Sequence, residues 1–183
     1  MAAPTASLFR FRIELADIDR GVYESLDFRV AQHPSENLPY LLTRVIAFAL
    51  NAGQNLSFSA GGLSDPDEPC MSAPGARGGT ALWIEIGNPS ARKLHKASKA
   101  SEKVKVYTYK NADTLMRDLE AEGVHGLAGI DLFHLSSEFL NGLTEALQKD
   151  NRWSLTSHDG GLTVTCSSPE GDVTVNGELR NIK

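Results

Sequence analysis

The sequence predicts an α/β fold in which a mixed sheet is flanked by helices, with added antiparallel strands from both termini. Three observations point to it. Residues 81–147 alternate strand and helix signals, which implies parallel pairing through crossover helices. Both ends of the chain show period-two alternation interrupted by turn residues, as antiparallel strands do. Between the N-terminal strands and the alternating segment, residues 36–51 carry apolar side chains at helical spacing.

Taken in order, Phe9, Phe11, Ile13 and Leu15 lie on one side of an extended segment and Arg10, Arg12 and Glu14 on the other, a half-buried strand. After turn residues 17–21, Leu26, Phe28 and Val30 resume the alternation, so the two segments predict a hairpin over residues 7–31. Leu38, Leu41, Leu42, Val45, Ile46 and Ala49 predict a long helix, capped by Ser35 or Asn37 and ended by Gly53, with Tyr40, Thr43 and Arg44 on its other side. Residues 55–59 suit a short strand. Residues 60–79 are dense in Gly, Pro, Ser and Asp and predict a long loop.

Residues 81–87 are apolar on both faces and predict a central strand. Asn88 as cap and Pro89 at the first helical position open a helix running to about Ser101. Residues 104–109 form the next strand, Ala112, Leu115, Met116 and Leu119 mark a helix, residues 130–135 a strand, and Ser136 caps a helix to about Leu147. Residues 153–157, 162–166 and 172–179 alternate around Gly-containing turns and predict a meander spanning about 152–180. The length of 183 residues is that of one domain, with a core at about 36–148 and the hairpin and meander as additions.

Hydrophobic residues at 41% and charged residues at 22% are the mix of a globular protein rather than a disordered or fibrous one. The first seven residues are small and polar, with no basic start and no bilayer-length apolar run, which predicts a cytoplasmic protein without membrane association. Cys70 and Cys166 form no metal-ligand spacing and predict two reduced thiols. A net charge of −5 at pH 7 excludes coating nucleic acid with the whole surface, so contact with phosphate needs a local basic patch.

Glu85 is the most informative residue, a carboxylate among Leu82, Trp83, Ile84 and Ile86. Burying it ionised costs several kcal/mol unless a cation, a metal or hydrogen bonds meet it. A structural ion pair, an exposed edge position and a metal-ligand role each satisfy that need. Upstream, Asp65, Asp67 and Glu68 alternate with Pro66 and Pro69. Such oxygens suit Mg2+, which takes one or two carboxylates plus water, and they equally suit a solvated turn. Downstream, Arg92, Lys96, Lys99 and Lys103 fall on one line of the predicted helix, either a solvated stripe or a contact for phosphodiesters. No GxSxG elbow, GxxxxGK[ST] loop or HExxH pair occurs, which argues against a serine hydrolase, a P-loop or a zinc enzyme.

Beyond these elements, the chain resembles the YaeQ family of bacterial proteins over nearly its whole length. The resemblance is carried by His33, Pro34, Ser35 and Glu36, by Arg44, by Asp67, Glu68 and Pro69, by residues 82–87, and by Pro89, Arg92, Lys96 and Ala97. That family is similar to a divergent branch of the PD-(D/E)XK nucleases. The resemblance implies a nuclease-like core and a Mg2+-dependent phosphodiesterase acting on nucleic acid, with a noncatalytic module binding nucleic acid or protein as the alternative. It implies Asp67 and Glu85 as converging metal ligands, with Glu68 as a substitute for Asp67, and Glu36 as an auxiliary acid. The tripeptide reads Glu85, Ile86, Gly87, without its lysine. Some branches move that lysine to the following helix, where Lys96, ahead of Arg92, is the candidate. Nucleic acid would be met by Arg92, Lys96, Lys99 and Lys103.

Overall fold

The computed structural model describes residues 6–61, 63 and 65–182. Its described residues gather into two compact units, residues 6–52 with 135–179 and residues 53–134 with 180–182.

The first unit opens with strands β1 (Ser7–Asp17) and β2 (Val22–Gln32), an antiparallel hairpin in which Phe11 faces Phe28. Helix α1 (Leu38–Leu50) follows, capped by Asn37, whose side chain accepts the N–H of Tyr40. The helix ends at Leu50, before Gly53. It is apolar almost all round, and the side expected to be polar is largely buried. Thr43 satisfies its hydroxyl by donating to the Pro39 carbonyl 2.7 Å away, and Arg44 is buried in an ion pair.

The second unit begins with the short strand β3 (Ser57–Phe58) and with β4 (Met71–Pro74), which lies inside the stretch expected to be loop. Four residues ending in Pro show too little alternation to be recognised, yet Met71 and Ala73 are buried and β4 pairs antiparallel with β5 (Thr80–Ile86). As expected, β5 is an internal strand, paired on its other side in parallel with β6 (Ser101–Thr108). Between them runs helix α2 (Ala91–Ala100), capped by Ser90 rather than Asn88. The Asn88 side chain is engaged elsewhere, accepting the Thr108 hydroxyl at 2.6 Å.

Helix α3 (Ala112–Ala121) leads to β7 (Ile130–Leu135), parallel to β6. Trp83, Leu94, Ala97, Val104, Leu115 and Leu132 form the center of this unit's core, uniting β5, α2, β6, α3 and β7. Helix α4 (Ser137–Ala146), capped by Ser136, and strands β8 (Asp150–His158), β9 (Gly161–Ser167) and β10 (Val173–Asn181) follow. In the first unit β8, β9 and β10 form the expected antiparallel meander. Its first strand also pairs in parallel with β1, Ile13 beside Trp153, so the two chain ends share one mixed sheet. Both units are α/β, and each sheet is mixed. Among the described residues no helix is long and apolar enough to cross a membrane.

Candidate functional site around Glu85

Strand alternation puts Trp83 and Glu85 on the same face of β5, the face against which Leu94 and Ala97 of α2 pack. Glu85 is 2% exposed. Its carboxylate is met from three directions: the Trp83 Nε1–H donates to Oε1 at 2.7 Å, the Lys93 ammonium lies 3.0 Å from Oε2, and the Cys70 thiol donates to Oε2 at 3.4 Å. Burial holds the Glu85 carboxyl above the usual glutamate range, opposed by Lys93 and by the Trp83 and Cys70 donors.

Lys93 is the residue the sequence argument missed. It sits immediately before the core residue Leu94, at the border of the apolar face of α2, and its side chain is 18% exposed. From a border position a long stem can lie along the core and bring its ammonium to a buried acid. Lys96, one turn on, points instead to the acidic turn: its Nζ donates to the Asp67 carbonyl at 3.0 Å and lies 3.5 Å from Asp67 Oδ1. This outer pair is exposed, 49% for Lys96 and 60% for Asp67.

The acidic turn is ordered locally. The Asp65 carboxylate accepts the Asp67 N–H at 2.8 Å, and Glu68 Oε2 accepts the Ser59 hydroxyl at 2.5 Å. Asp67 and Glu85 are therefore each tied to a lysine of α2, three residues apart, while Glu68 is held by Ser59. Among the described residues no group of three or more His, Cys, Asp or Glu is placed to hold a metal ion.

The remaining candidates lie elsewhere. Glu36 belongs to the first unit, where Arg44 Nη2 stands 2.9 Å from its carboxylate and the His33 N–H donates to Oε2 at 2.9 Å. Burial raises this carboxyl too, and the Gln32 amide donates to the Glu36 carbonyl, so Glu36 locks the end of β2 to the start of α1. The expected basic line of four breaks after Ser101, because Lys103 lies on β6 and pairs with Asp131 at 2.9 Å. Arg92 and Lys99 are exposed on α2, Arg92 lining a cleft with Asp118 of α3 and with Glu122, the residue that caps its C-terminus.

A family model described as YaeQ protein matches residues 1–175. The chain belongs to the YaeQ family. YaeQ of Escherichia coli (strain K12) is 26% identical over 173 residues, 93% of each chain. YaeQ of Salmonella typhi is 27% identical over 161 residues, 87% of this chain and 88% of that one. Crystal structures of YaeQ proteins share the fold over their length. The one from Pseudomonas syringae, 27% identical, gives a TM-score of 0.83 and covers 100% of this chain and 98% of its own. The one from Xanthomonas axonopodis pv. citri, 30% identical, gives 0.82 over 96% and 98%.

Proposed function

We propose that the second unit carries a Mg2+-dependent phosphodiesterase center acting on nucleic acid, built on Glu85 and Lys93. The observation that carries this reading is the 3.0 Å contact between Lys93 Nζ and Glu85 Oε2. The resemblance to PD-(D/E)XK nucleases calls for an acid on a central strand with a lysine beside it, and the tripeptide at Glu85 lacks that lysine. Helix α2 supplies one from Lys93. A buried ion pair is a weak stabilizer compared with apolar residues of the same volume, so its presence on an internal strand favors a chemical use.

The donor chemistry fits a hard cation. A carboxylate offers about four lone-pair sites, and Glu85 accepts from three donors, which leaves Oε1 with one site beyond Trp83. Among the described residues, the Asp67 carboxylate holds only the 3.5 Å Lys96 contact, and it is well exposed. Glu85 and Asp67 would hold Mg2+, which when bound polarizes a phosphate oxygen and makes its water a better nucleophile. Lys93 keeps Glu85 ionized and presents positive charge where a phosphate gains negative charge during bond breakage. Trp83 fixes the carboxylate plane, and Lys96 orients the acidic turn through the Asp67 carbonyl.

A second reading is a noncatalytic module on the same fold, favored by the three donors already satisfying Glu85. Incubation of the full chain with labelled single-stranded DNA, duplex DNA and RNA, with Mg2+ or with EDTA, separates the two. Mg2+-dependent cleavage by wild type, lost in Glu85→Gln and Lys93→Met but reduced only modestly in Lys96→Met, is the expected result. No cleavage of any substrate by folded wild-type protein overturns the enzyme reading and leaves the module.

A further inference from the structure

The solvent side of the first unit's sheet carries a cluster of arginines that the Glu85 center does not use. Arg10 and Arg12 alternate with buried Phe9, Phe11 and Ile13 on β1, so they face away from the core. Across the β1–β2 ladder Arg10 stands opposite Arg29 and Arg12 opposite Asp27; across β1–β8 Arg10 stands opposite Asp150 and Arg12 opposite Arg152. Two rows on three strands thus hold four arginines and two aspartates. The apolar side of the same sheet is covered, with the ring of Phe28 of β2 tilted against that of Phe48 of α1, centroids 4.5 Å apart.

Like charges directly opposite each other on a ladder destabilize it, and this face contains two such pairs, Arg10 with Arg29 and Arg12 with Arg152. The aspartates offset only half of the charge. Arg10 grips Asp27 with both ends of its fork, at 2.6 and 2.9 Å, and Arg12 holds Asp150 at 2.8 Å. Arg29 and Arg152, at opposite corners, are exposed, and their side chains make no hydrogen bond or ion pair among the described residues. Glu14, the next outward residue of β1, accepts the Ser25 hydroxyl at 2.5 Å and adds a third negative charge to the face beside Arg12 and Arg152. The Arg10 hydrogen bond, joined by the charges of Arg10, Arg12 and Arg29, holds the Asp27 carboxyl below the usual range.

Arg152 also stands between two shallow grooves of about 330 and 450 Å³, sharing both with Ser167. Arg12, Glu14 and Ser154 complete the polar lining of the first groove, and Gln148, Asp150 and Ser168 that of the second. Planar guanidinium forks flanked by hydroxyls are the groups that contact phosphate oxygens. Among the described residues the face carries no buried reading pocket and only Tyr23, at 68% exposure, as an exposed aromatic, so backbone contacts and not bases would dominate. Open sheet faces serve as platforms for single strands, whose flexible backbone follows a flat surface.

We infer that the exposed face of β2, β1 and β8, centered on Arg29, Arg10, Arg12 and Arg152, binds the phosphodiester backbone of single-stranded nucleic acid without base specificity. This adds a substrate-holding surface to the proposed nucleic-acid function, and it needs only binding, not cleavage at Glu85.

Fluorescence anisotropy of a labelled oligothymidine with the full chain, in EDTA and at low salt, tests it apart from catalysis. Wild type should bind. Arg152→Glu and Arg29→Glu should each weaken binding by about tenfold or more with unchanged circular dichroism and Tm, and Arg152→Lys should retain an intermediate affinity. Removal of one phosphate contact should flatten the log–log salt slope by about 0.7. Arg117→Glu, which changes net charge equally from an exposed position on helix α3, should leave affinity unaltered. The inference is overturned by absence of binding in wild type, by equal loss in Arg117→Glu, by tighter binding of a duplex, or by polyglutamate binding as tightly as the oligonucleotide. Because the assay contains EDTA, a failure of the Mg2+-dependent cleavage reading leaves its outcome intact.

Discussion

Replacing Lys93 by methionine tests the electrostatics of the Glu85 site at its most exposed seam. The substitution keeps most of the stem's volume but removes the cation paired with Glu85, a carboxylate 2% exposed. Removing one partner of a buried pair costs about 3–5 kcal/mol, and water reaching the partly exposed Lys93 places this site near about 3 kcal/mol at neutral pH. For a chain of this length that corresponds to a fall in Tm of about 6–12 °C. The pH dependence has a definite sign. Glu85 is already held above the usual glutamate range by burial, and loss of Lys93 raises it further. A carboxyl raised in the folded state binds protons more tightly there than in the unfolded chain, so stability falls as pH rises through the folded value. The deficit of Lys93→Met is therefore largest in neutral and alkaline solution and shrinks in acid, as Glu85 takes up a proton. Urea unfolding of both proteins at about pH 5 and pH 8 measures it, with Lys93→Met/Glu85→Leu recovering most of the loss. A variant within about 0.5 kcal/mol of wild type, or a deficit equal at both pH values, refutes the buried-pair argument.

Two further outcomes probe packing and burial. Gly177 of β10 lies so close to Phe139 of α4 that a methyl group would overlap the ring, so Gly177→Ala should destabilize the protein by about 1–3 kcal/mol, measured by thermal melts. Burial pushes the Cys166 thiol up to about 11, whereas Cys70 is only half-buried; a thiol reagent at neutral pH should label Cys70 first and reach Cys166 only on unfolding, checked by mass spectrometry of digests.

Much of the fold was legible because its signals are local. The alternation of Phe9, Phe11, Ile13 and Leu15 places those residues on one face whatever the strand's partner, and the caps Asn37 and Ser136 act through bonds three residues away. The apolar run at residues 81–87 required cover on both faces, and β5 is internal as a result. Glu85 announced itself as a buried charge for the same reason, since the cost of desolvation belongs to the residue and its strand.

The sequence by itself determined these local conformations, the α/β class and the demand that Glu85 find a partner. Tertiary structure alone decided what the partner is. Lys93, Lys96 and Arg92 are equivalent as charges along the chain, and only the packing of Leu94 and Ala97 against β5 turns the Lys93 border position toward Glu85 while Lys96 reaches Asp67. It decided likewise that Lys103 is a strand residue held by Asp131, that β4 is a strand within a Gly- and Pro-rich stretch, and that β1 lies parallel to β8. Each of these depends on contacts between residues far apart in sequence. Side-chain periodicity carries no information about such contacts, because it reports which face a residue occupies and not what stands across from it.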